Sequence, residues 1–356
     1  MSVFSAPAYD RHELVSFSND NGSGLRAIIA VHDSTLGPGV GGCRMFPYAS
    51  EDAALHDVLR LSRGMTYKSA MAGLPLGGGK SVIIGDPRSD KSRDLLLAMG
   101  EFIDAQGGRY VAAEDSGTGV ADMRVMAERT RWVSGLEDNR YGGDPSPSTA
   151  WGVFLAMRTA VHYRFGEADL KGRSVALQGL GHVGYYLAKY LREAGAEVYG
   201  ADVNVDNLRR AVEELGVIAV DPAKVLELAV DVVAPCAMGA VLDERSIDAL
   251  QAGIVCGAAN NQLASAVDAA HLRDRGILYC PDFLVNAGGI IDVHHQRLGS
   301  PAEERSQHIA RIEDNLERVL QRARTHGLST HDVAEAMVEE YLEEVRRANL
   351  VLAAAG

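Results

Sequence analysis

Two lysines, one aspartate and a set of spaced glycines are the residues of this chain whose types and spacing could do chemistry together. Lys80 ends the run Pro75-Leu76-Gly77-Gly78-Gly79-Lys80-Ser81. Three glycines before a lysine suggest backbone wrapped tightly round one amine. Partial loss of water disfavours the charged amine, which is how a lysine becomes a general base near neutral pH. The Gly-Lys-Ser ending superficially suggests a phosphate-binding P-loop, but that motif needs a glycine where Leu74 stands. Lys68 lies among small and apolar neighbours in Arg63-Gly64-Met65-Thr66-Tyr67-Lys68-Ser69-Ala70-Met71-Ala72. A second lysine would pair a substrate carboxylate and, by like-charge repulsion, lower the proton affinity of the first. Asp115, in Ala112-Ala113-Glu114-Asp115-Ser116-Gly117, follows a short strand and could relay a proton or hold an ammonium. Each also has a plainer reading: Lys80 as a solvated strand-end lysine, Lys68 as a surface lysine with a buried stem, Asp115 as an acid at a helix start.

The glycines supply the partner chemistry. Ser174-Val175-Ala176-Leu177-Gln178 reads as a short strand, followed at once by Gly179-Leu180-Gly181-His182-Val183-Gly184. Val183, Leu187 and Leu191 then recur at helical spacing, and residues 196–201 form a second apolar strand ended by Asp202. Gly179 permits the tight turn, Gly181 lets backbone approach a pyrophosphate, and Gly184 lets helix pack on strand. The helix N-terminus attracts the phosphates. Asp202, about 20 residues on, can bind a ribose 2′-hydroxyl and would repel a 2′-phosphate, which favours NAD over NADP. A glycine-rich turn with no ligand is the plainer alternative.

Lysine as base, carboxylate as relay and nicotinamide as hydride acceptor would oxidise a carbon that bears an amine. A 2-hydroxy acid dehydrogenase would more usually supply a histidine–acid pair with an arginine. The eleven histidines show no such placing, although His294-His295 has no reading. A non-catalytic NAD-binding regulator needs only the glycine motif and has no use for Lys68, Lys80 and Asp115 together.

The elements that must position these residues fall into two sections. The 356 residues suffice for two domains. In the first, residues 25–31, 81–84 and 111–113 read as strands, and 50–62, 94–105 and 120–130 as helices. Ser50, Glu51 and Asp52 make an acidic helix start. Gly142-Gly143-Asp144-Pro145-Ser146-Pro147-Ser148 looks like a hinge, and a helix over 149–163 follows it. In the second, strands at 174–178, 197–201, 217–220, 230–234, 254–257 and 277–280 alternate with helical or turn segments, as in a doubly wound parallel sheet. Three loops lie beyond its carboxyl ends: 235–239 with Ala237 and Met238, 258–261 with Ala259, Asn260 and Asn261, and 286–289 with Asn286. Small residues and amides suit backbone approaching a flat ligand, and equally suit ordinary turns. Residues 303–325 and 330–348 read as charged amphipathic helices. The expected division is a substrate and oligomerisation domain over 1–146 and an NAD-binding domain over 147–329. The helix beyond 330 is expected to return to the first domain.

Hydrophobic residues make up 47% and charged residues 23%, ordinary for a globular protein. A formal charge of −13 argues against nucleic acid and anionic membrane as partners. No apolar run reaches transmembrane length, and residues 1–10 lack the order of a secretion signal. Cys43, Cys236, Cys256 and Cys280 show no metal-type spacing and read as free thiols in a reducing cytoplasm.

Several ordered motifs resemble the glutamate/leucine/phenylalanine/valine dehydrogenase family over almost the whole chain. They are Gly41-Gly42-Cys43-Arg44-Met45, the Lys68 segment, Pro75 to Lys80, Glu114-Asp115-Ser116-Gly117-Thr118, Ser148-Thr149-Ala150-Trp151-Gly152, Gly179 to Gly184 and Asn286-Ala287-Gly288-Gly289. The resemblance implies an α/β protein with an N-terminal mixed α/β substrate domain, a doubly wound Rossmann dinucleotide-binding domain and a cleft between them. It implies a homo-oligomer that reversibly deaminates an L-amino acid to a 2-oxo acid, ammonia and NADH. By that resemblance Lys80 is the base that activates water, Asp115 transfers protons, and Lys68 pairs the substrate carboxylate beside the Gly42 backbone. Ser148, Thr149, Ala237, Met238, Ala259, Asn260 and Asn286 are expected at the nicotinamide, Asn261 at the substrate, and Arg44 at a further cofactor or domain contact. Leu180, His182 and Val183 belong with the glycines.

One departure bears on the substrate. Glutamate dehydrogenases carry a lysine just before the Gly-Gly pair, where this chain has Val40. A buried carboxylate without that partner is costly, so an apolar side chain is expected. Val40, Ala113, Ile290 and Val293 resemble the pocket-lining positions. Relatives often have leucine where Val40 stands, so the pocket is expected to be roomy enough for an aromatic ring. The glycine motif and Pro235-Cys236-Ala237-Met238 resemble phenylalanine-specific members, Ala113-Glu114-Asp115 resembles leucine-specific ones, and Val293-His294-His295-Gln296 departs from both. The expectation is L-phenylalanine, giving phenylpyruvate, with leucine or valine as the alternative.

Overall fold

A computed structural model describes residues 2–136, 144–167 and 169–355. Gly142 and Gly143, part of the expected hinge, lie outside the described residues. The chain divides into two compact units: Met1–Gly143 with Gln296–Gly299 and Glu339–Gly356, and Asp144–His295 with Ser300–Val338.

The first unit holds strands β1 (Leu14–Asp20), β2 (Leu25–Asp33), β3 (Gly39–Phe46), β4 (Gly77–Ile84) and β5 (Tyr110–Glu114), with helices α1 (Glu51–Met71), α2 (Arg93–Asp104) and α3 (Val120–Ala127). The sheet order is β1-β2-β4-β3-β5. β1 and β4 run antiparallel to β2, while β3 is parallel to both β4 and β5. β2 reads as an almost unbroken apolar run because both its faces are covered. Ile29 and Val31 pack with Leu95, Met99, Ile103, Met123 and Met126 from α2 and α3. Ile28 and Ala30 point the other way, onto Ala54, Leu55, Val58 and Leu59 of α1.

Helix α1 starts at Ser50, whose side chain accepts from the Ala53 N–H, with Glu51 and Asp52 in the first turn. It runs nine residues past the expected end at 62, despite Gly64, because Thr66, Tyr67, Ser69, Ala70 and Met71 are buried; packing outweighs local propensity. Lys68 therefore sits in its last turn. The Gly77–Lys80 run, expected to wrap its backbone round the amine ahead of a strand at 81–84, is itself extended. It is the first half of strand β4. Glycine normally weakens a strand, but here it admits neighbouring backbone.

The second unit contains α4 (Ser146–Phe165), β6 (Ser174–Gln178), α5 (His182–Glu193), β7 (Glu197–Ala201), α6 (Val205–Leu215), β8 (Ile218–Ala219), β9 (Val232–Pro235), α7 (Glu244–Ala249), β10 (Ile254–Val255), α8 (Val267–Asp274), β11 (Leu278–Tyr279), α9 (Asp282–Val285), the start of α10 (Gly288–Leu298), α11 (Ala302–His326) and the start of α12 (Thr330–Ala355). Its six strands are all parallel, in the order β11-β10-β9-β6-β7-β8. That is the doubly wound order, with its switch point between β6 and β9. Ser146, Pro147 and Ser148, expected in a hinge, form the first turn of α4. Proline is tolerated there because its missing N–H has no helical partner to lose.

Helix α12 contributes Glu339 and Arg346 to the first unit. The Tyr67 hydroxyl donates to Glu339, and Arg346 pairs with Asp33 and reaches Thr35 Oγ1 at 3.2 Å. Among the described residues no helix is long and apolar enough to cross a membrane.

Candidate active site

In the first unit the site is built from missing side chains. A Cβ on Gly41 would overlap the Gly79 carbonyl, and one on Gly78 would overlap Thr66 of α1. One on Gly79 would stand 2.7 Å from the Tyr110 ring, and one on Gly42 2.6 Å from Asp115 Cβ. Strands β3, β4 and β5 and helix α1 thus meet backbone to backbone or nearly so. The Tyr110 hydroxyl donates to the Gly41 carbonyl at 2.8 Å and lies 3.0 Å from Ser81 Oγ, fixing the paired glycines.

Lys80 is 6% exposed and its ammonium forms an ion pair with Asp115, which follows β5. Asp115 also accepts from the Ser116 N–H at 2.6 Å, and an Arg44 nitrogen lies 3.6 Å from it. Burial by itself would raise the Asp115 carboxyl, but Lys80 and Arg44 outweigh it and hold the group down at about 2. Arg44 donates to Asp57 at 2.9 Å, and Asp57 accepts from the Tyr48 hydroxyl at 2.5 Å. The arginine expected at a cofactor or domain contact is therefore engaged with two carboxylates of its own unit. Gly42 is in register with Ala113 on β5, and Val40 with Gly78 on β4. Val40 is buried, while Ala113 and Lys68 are half-buried. Between β2 and α1, His32 Nδ1 is 2.9 Å from Thr66 Oγ1, and Arg63 of α1 donates to Asp10 at 2.9 Å.

The second unit presents the glycine motif as a cradle. Gly179 takes φ +100° and its N–H donates to the Ala201 carbonyl at 2.8 Å. A Cβ on Gly184 would overlap the Gly179 carbonyl, whereas around Gly181 an added Cβ would meet nothing within 4 Å. Gly181 opens helix α5 with no side-chain cap, leaving first-turn N–H groups for an anion. Leu180 is buried, Val183 half-buried and His182 exposed, its Nδ1 3.7 Å from Asp144. Asp202 follows β7 and accepts from the Leu180 N–H at 2.7 Å, the Asn204 N–H at 2.7 Å and Asn207 Nδ2 at 3.3 Å. A carboxylate has about four acceptor positions, so one remains for a ribose hydroxyl.

The carboxyl-end loops converge on this cradle in part. The Cys236 N–H donates to the Gln178 carbonyl at 2.8 Å, and Ala237 packs where Gly179 lacks a side chain. Met238 is exposed and Ala259 buried. Asn261 adopts φ +51°, and its N–H donates to Asp282 at 2.5 Å. Asn286 donates to the Ala258 carbonyl at 3.0 Å and Asn260 Oδ1 at 2.9 Å, while its own Oδ1 is buried with no partner among the described residues. An orphaned buried acceptor fits a ligand amide that would donate to it. Thr149 Oγ1 donates to the Pro145 carbonyl, Ser148 to Asp292, and Ile290 and Val293 lie half-buried along α10. No group of three or more metal-ligating side chains forms among the described residues.

Tyr48, Asp57, Tyr110 and Asp292 were not singled out in the sequence. Asp292 alone carried a signal, an acid inside the apolar run Gly289-Ile290-Ile291-Asp292-Val293.

A family model described as Glu/Leu/Phe/Val dehydrogenase, dimerisation domain, matches residues 12–132, and one described as Glutamate/Leucine/Phenylalanine/Valine dehydrogenase matches residues 144–204 and 200–354. The chain is 46% identical over 342 residues to leucine dehydrogenase of Geobacillus stearothermophilus, covering 96% of this chain and 93% of that one. It is 44% identical over 339 residues to valine dehydrogenase of Streptomyces virginiae, covering 94% and 95%. Among solved structures, L-tryptophan dehydrogenase from Nostoc punctiforme superposes with a TM-score of 0.79 at 39% identity, covering 95% of this chain and 97% of that one.

Proposed function

The chain belongs to the glutamate/leucine/phenylalanine/valine dehydrogenase family of amino-acid dehydrogenases, and from that premise we propose that it oxidatively deaminates leucine or valine to the 2-oxo acid and ammonia with NAD. The observation that carries this reading is the buried Lys80–Asp115 pair packed against the side-chain-free Gly42 backbone. A structural ion pair gains little from being buried; one that must act on a substrate ammonium has a reason to be there.

The leucine and valine dehydrogenases among the relatives support the aliphatic alternative over phenylalanine. The tryptophan dehydrogenase keeps a large aromatic substrate as the second reading. Val40 and Ala113 of the first unit and Ile290 and Val293 of the second are the residues proposed to contact the substrate side chain, and Asn261 is proposed as a further substrate contact. Lys68 pairs the substrate carboxylate. The substrate ammonium takes Lys80's place on Asp115, which is held ionised and so accepts the amine proton only in passing. NAD, when bound, would supply the acceptor for the hydride on Cα, whose loss leaves the substrate as an iminium. Lys80, having released its ammonium proton to solvent when the substrate displaced it from Asp115, takes a proton from water as the water oxygen attacks that carbon. Asp115 returns its proton to nitrogen, and ammonia leaves as the hydroxyl proton passes to the freed Asp115 carboxylate and the carbonyl forms.

The cofactor is proposed to lie on Gly179, Leu180, Gly181, His182, Val183 and Gly184, with Asp202 at the ribose. Ser148, Thr149, Ala237, Met238, Ala259, Asn260 and Asn286 would face the nicotinamide. Residues 1–146 are proposed as the substrate and oligomerisation domain, 147–329 as the NAD domain, and the protein as a cytoplasmic homo-oligomer. The dimerisation-domain match and four free cysteines support this.

The test is a kcat/KM panel over L-leucine, L-valine, L-phenylalanine, L-tryptophan and L-glutamate with NAD and NADP, followed by NADH absorbance. Highest turnover of leucine or valine with NAD is expected. A preference for either aromatic substrate moves the assignment to the second reading, and no turnover of any amino acid ends it.

A further inference from the structure

Helix α10 has two unlike sides. Ile290, Val293 and His294 are half-buried, whereas Ile291, Asp292 and His295 are buried. The buried side is an anchor, and Asp292 is its charged member. One oxygen of Asp292 accepts from Ser148 Oγ at 2.6 Å, and the other lies 2.9 Å from the Arg305 guanidinium. Ser148 stands in the first turn of α4 and Arg305 in the first turns of α11. The anchored helices also touch through glycine: a Cβ on Gly288 would overlap the Ser148 carbonyl, and one on Gly289 would stand 2.5 Å from Thr149 Oγ1.

From this geometry we infer that Asp292 is a positioning residue that sets the Ile290–Val293 face of α10 against the Ser148–Thr149 turn of α4. The inference rests on the reading given above, in which those two segments serve the substrate side chain and the nicotinamide. A carboxylate suits the task because it accepts from a hydroxyl and a guanidinium at once and holds both in a fixed fork. Its 3% exposure gives it no competing water. Rotating or sliding α10 would break both bonds and drive Gly288 into α4, so the apolar face is offered in one register. Asp292 itself acts through Ser148 and the helix, not on reacting atoms.

The readout is the ratio of kcat/KM values for L-leucine and L-phenylalanine, which does not depend on how much of a preparation is active. Ser148→Ala removes one bond without stranding a charge, and about a three- to tenfold change in that ratio is expected from a small displacement. Asp292→Asn can keep both partners, its Oδ1 accepting from Arg305 and its Nδ2 donating to Ser148 Oγ, and should stay near the wild-type ratio. Asp292→Ala should move the ratio furthest if it folds. In the protein without nucleotide, hydrogen exchange over residues 146–152 should rise in Ser148→Ala. An unchanged ratio in Ser148→Ala, or a shift in Asp292→Asn as large as in that variant, overturns the inference. If the wild type oxidises no amino acid, it is the proposed function that fails; the exchange result then decides whether Ser148 and Asp292 order α4.

Discussion

The Leu180 backbone N–H donates to the Asp202 carboxylate across 2.7 Å. The acid that would choose the ribose and the turn that would hold the phosphates are one hydrogen-bonded unit. Asp202→Ala should therefore weaken NAD binding and relax its preference over NADP together. A loss of about tenfold or more in the NAD/NADP ratio of kcat/KM is expected. An unchanged ratio would remove the ribose contact from the site.

Lys80→Ala should lower kcat by about 10²–10⁴-fold while NADH still binds. Arg44 remains beside Asp115 in this variant, so the carboxylate keeps a cation and the fold should persist. Near-normal turnover would show that the base is another group.

Acid stability should follow His32. Burial lowers its pKa to about 4, with His12 and Arg63 adding and Asp10 and Asp33 opposing. The unfolded chain then binds more protons than the folded one between about 6.5 and 4, so stability falls as pH drops through that window. The upper limit is about 3 kcal/mol for one such group. His12, lowered chiefly by burial, acts in the same direction. Thermal melts across this range should slope downward towards acid, and His32→Gln should flatten them. Asp115, held at about 2, adds a second loss only below the ordinary carboxylate range.

Gly41→Ala should destabilise the first unit, because the new methyl would overlap the Gly79 carbonyl and neither strand is free to retreat. A cost of about 1–3 kcal/mol or more is expected in urea unfolding. The same change at Gly24, where an added Cβ meets nothing within 4 Å but φ is +78°, should cost less, through backbone strain alone.

The doubly wound sheet was legible because its strands are separated by helical patterns and its glycines sit at fixed offsets from strand, helix and acid. The first unit was less so. Gly39, Gly41 and Gly42 hide the strand character of β3, and Gly77, Gly78 and Gly79 hide that of the first half of β4, so that the pattern predicts its strand only from residue 81. In both, close packing of neighbouring backbone, which a sequence does not display, outweighs propensity. Pro145 and Pro147 suggested a hinge because proline breaks helices, yet it also starts them. Lys80 and Asp115 were legible as chemistry, but their pairing was not. It depends on β3 lying between β4 and β5, a strand order that no local pattern encodes.

Gly77, Gly78 and Gly79 each lie hard against the main chain of a neighbouring segment. Evolutionary drift along this stretch is consequently closed off, whatever selection asks of the enzyme. A combinatorial library aimed at new amino acids should leave these codons alone and diversify the proposed side-chain contacts Val40, Ala113, Ile290 and Val293 instead.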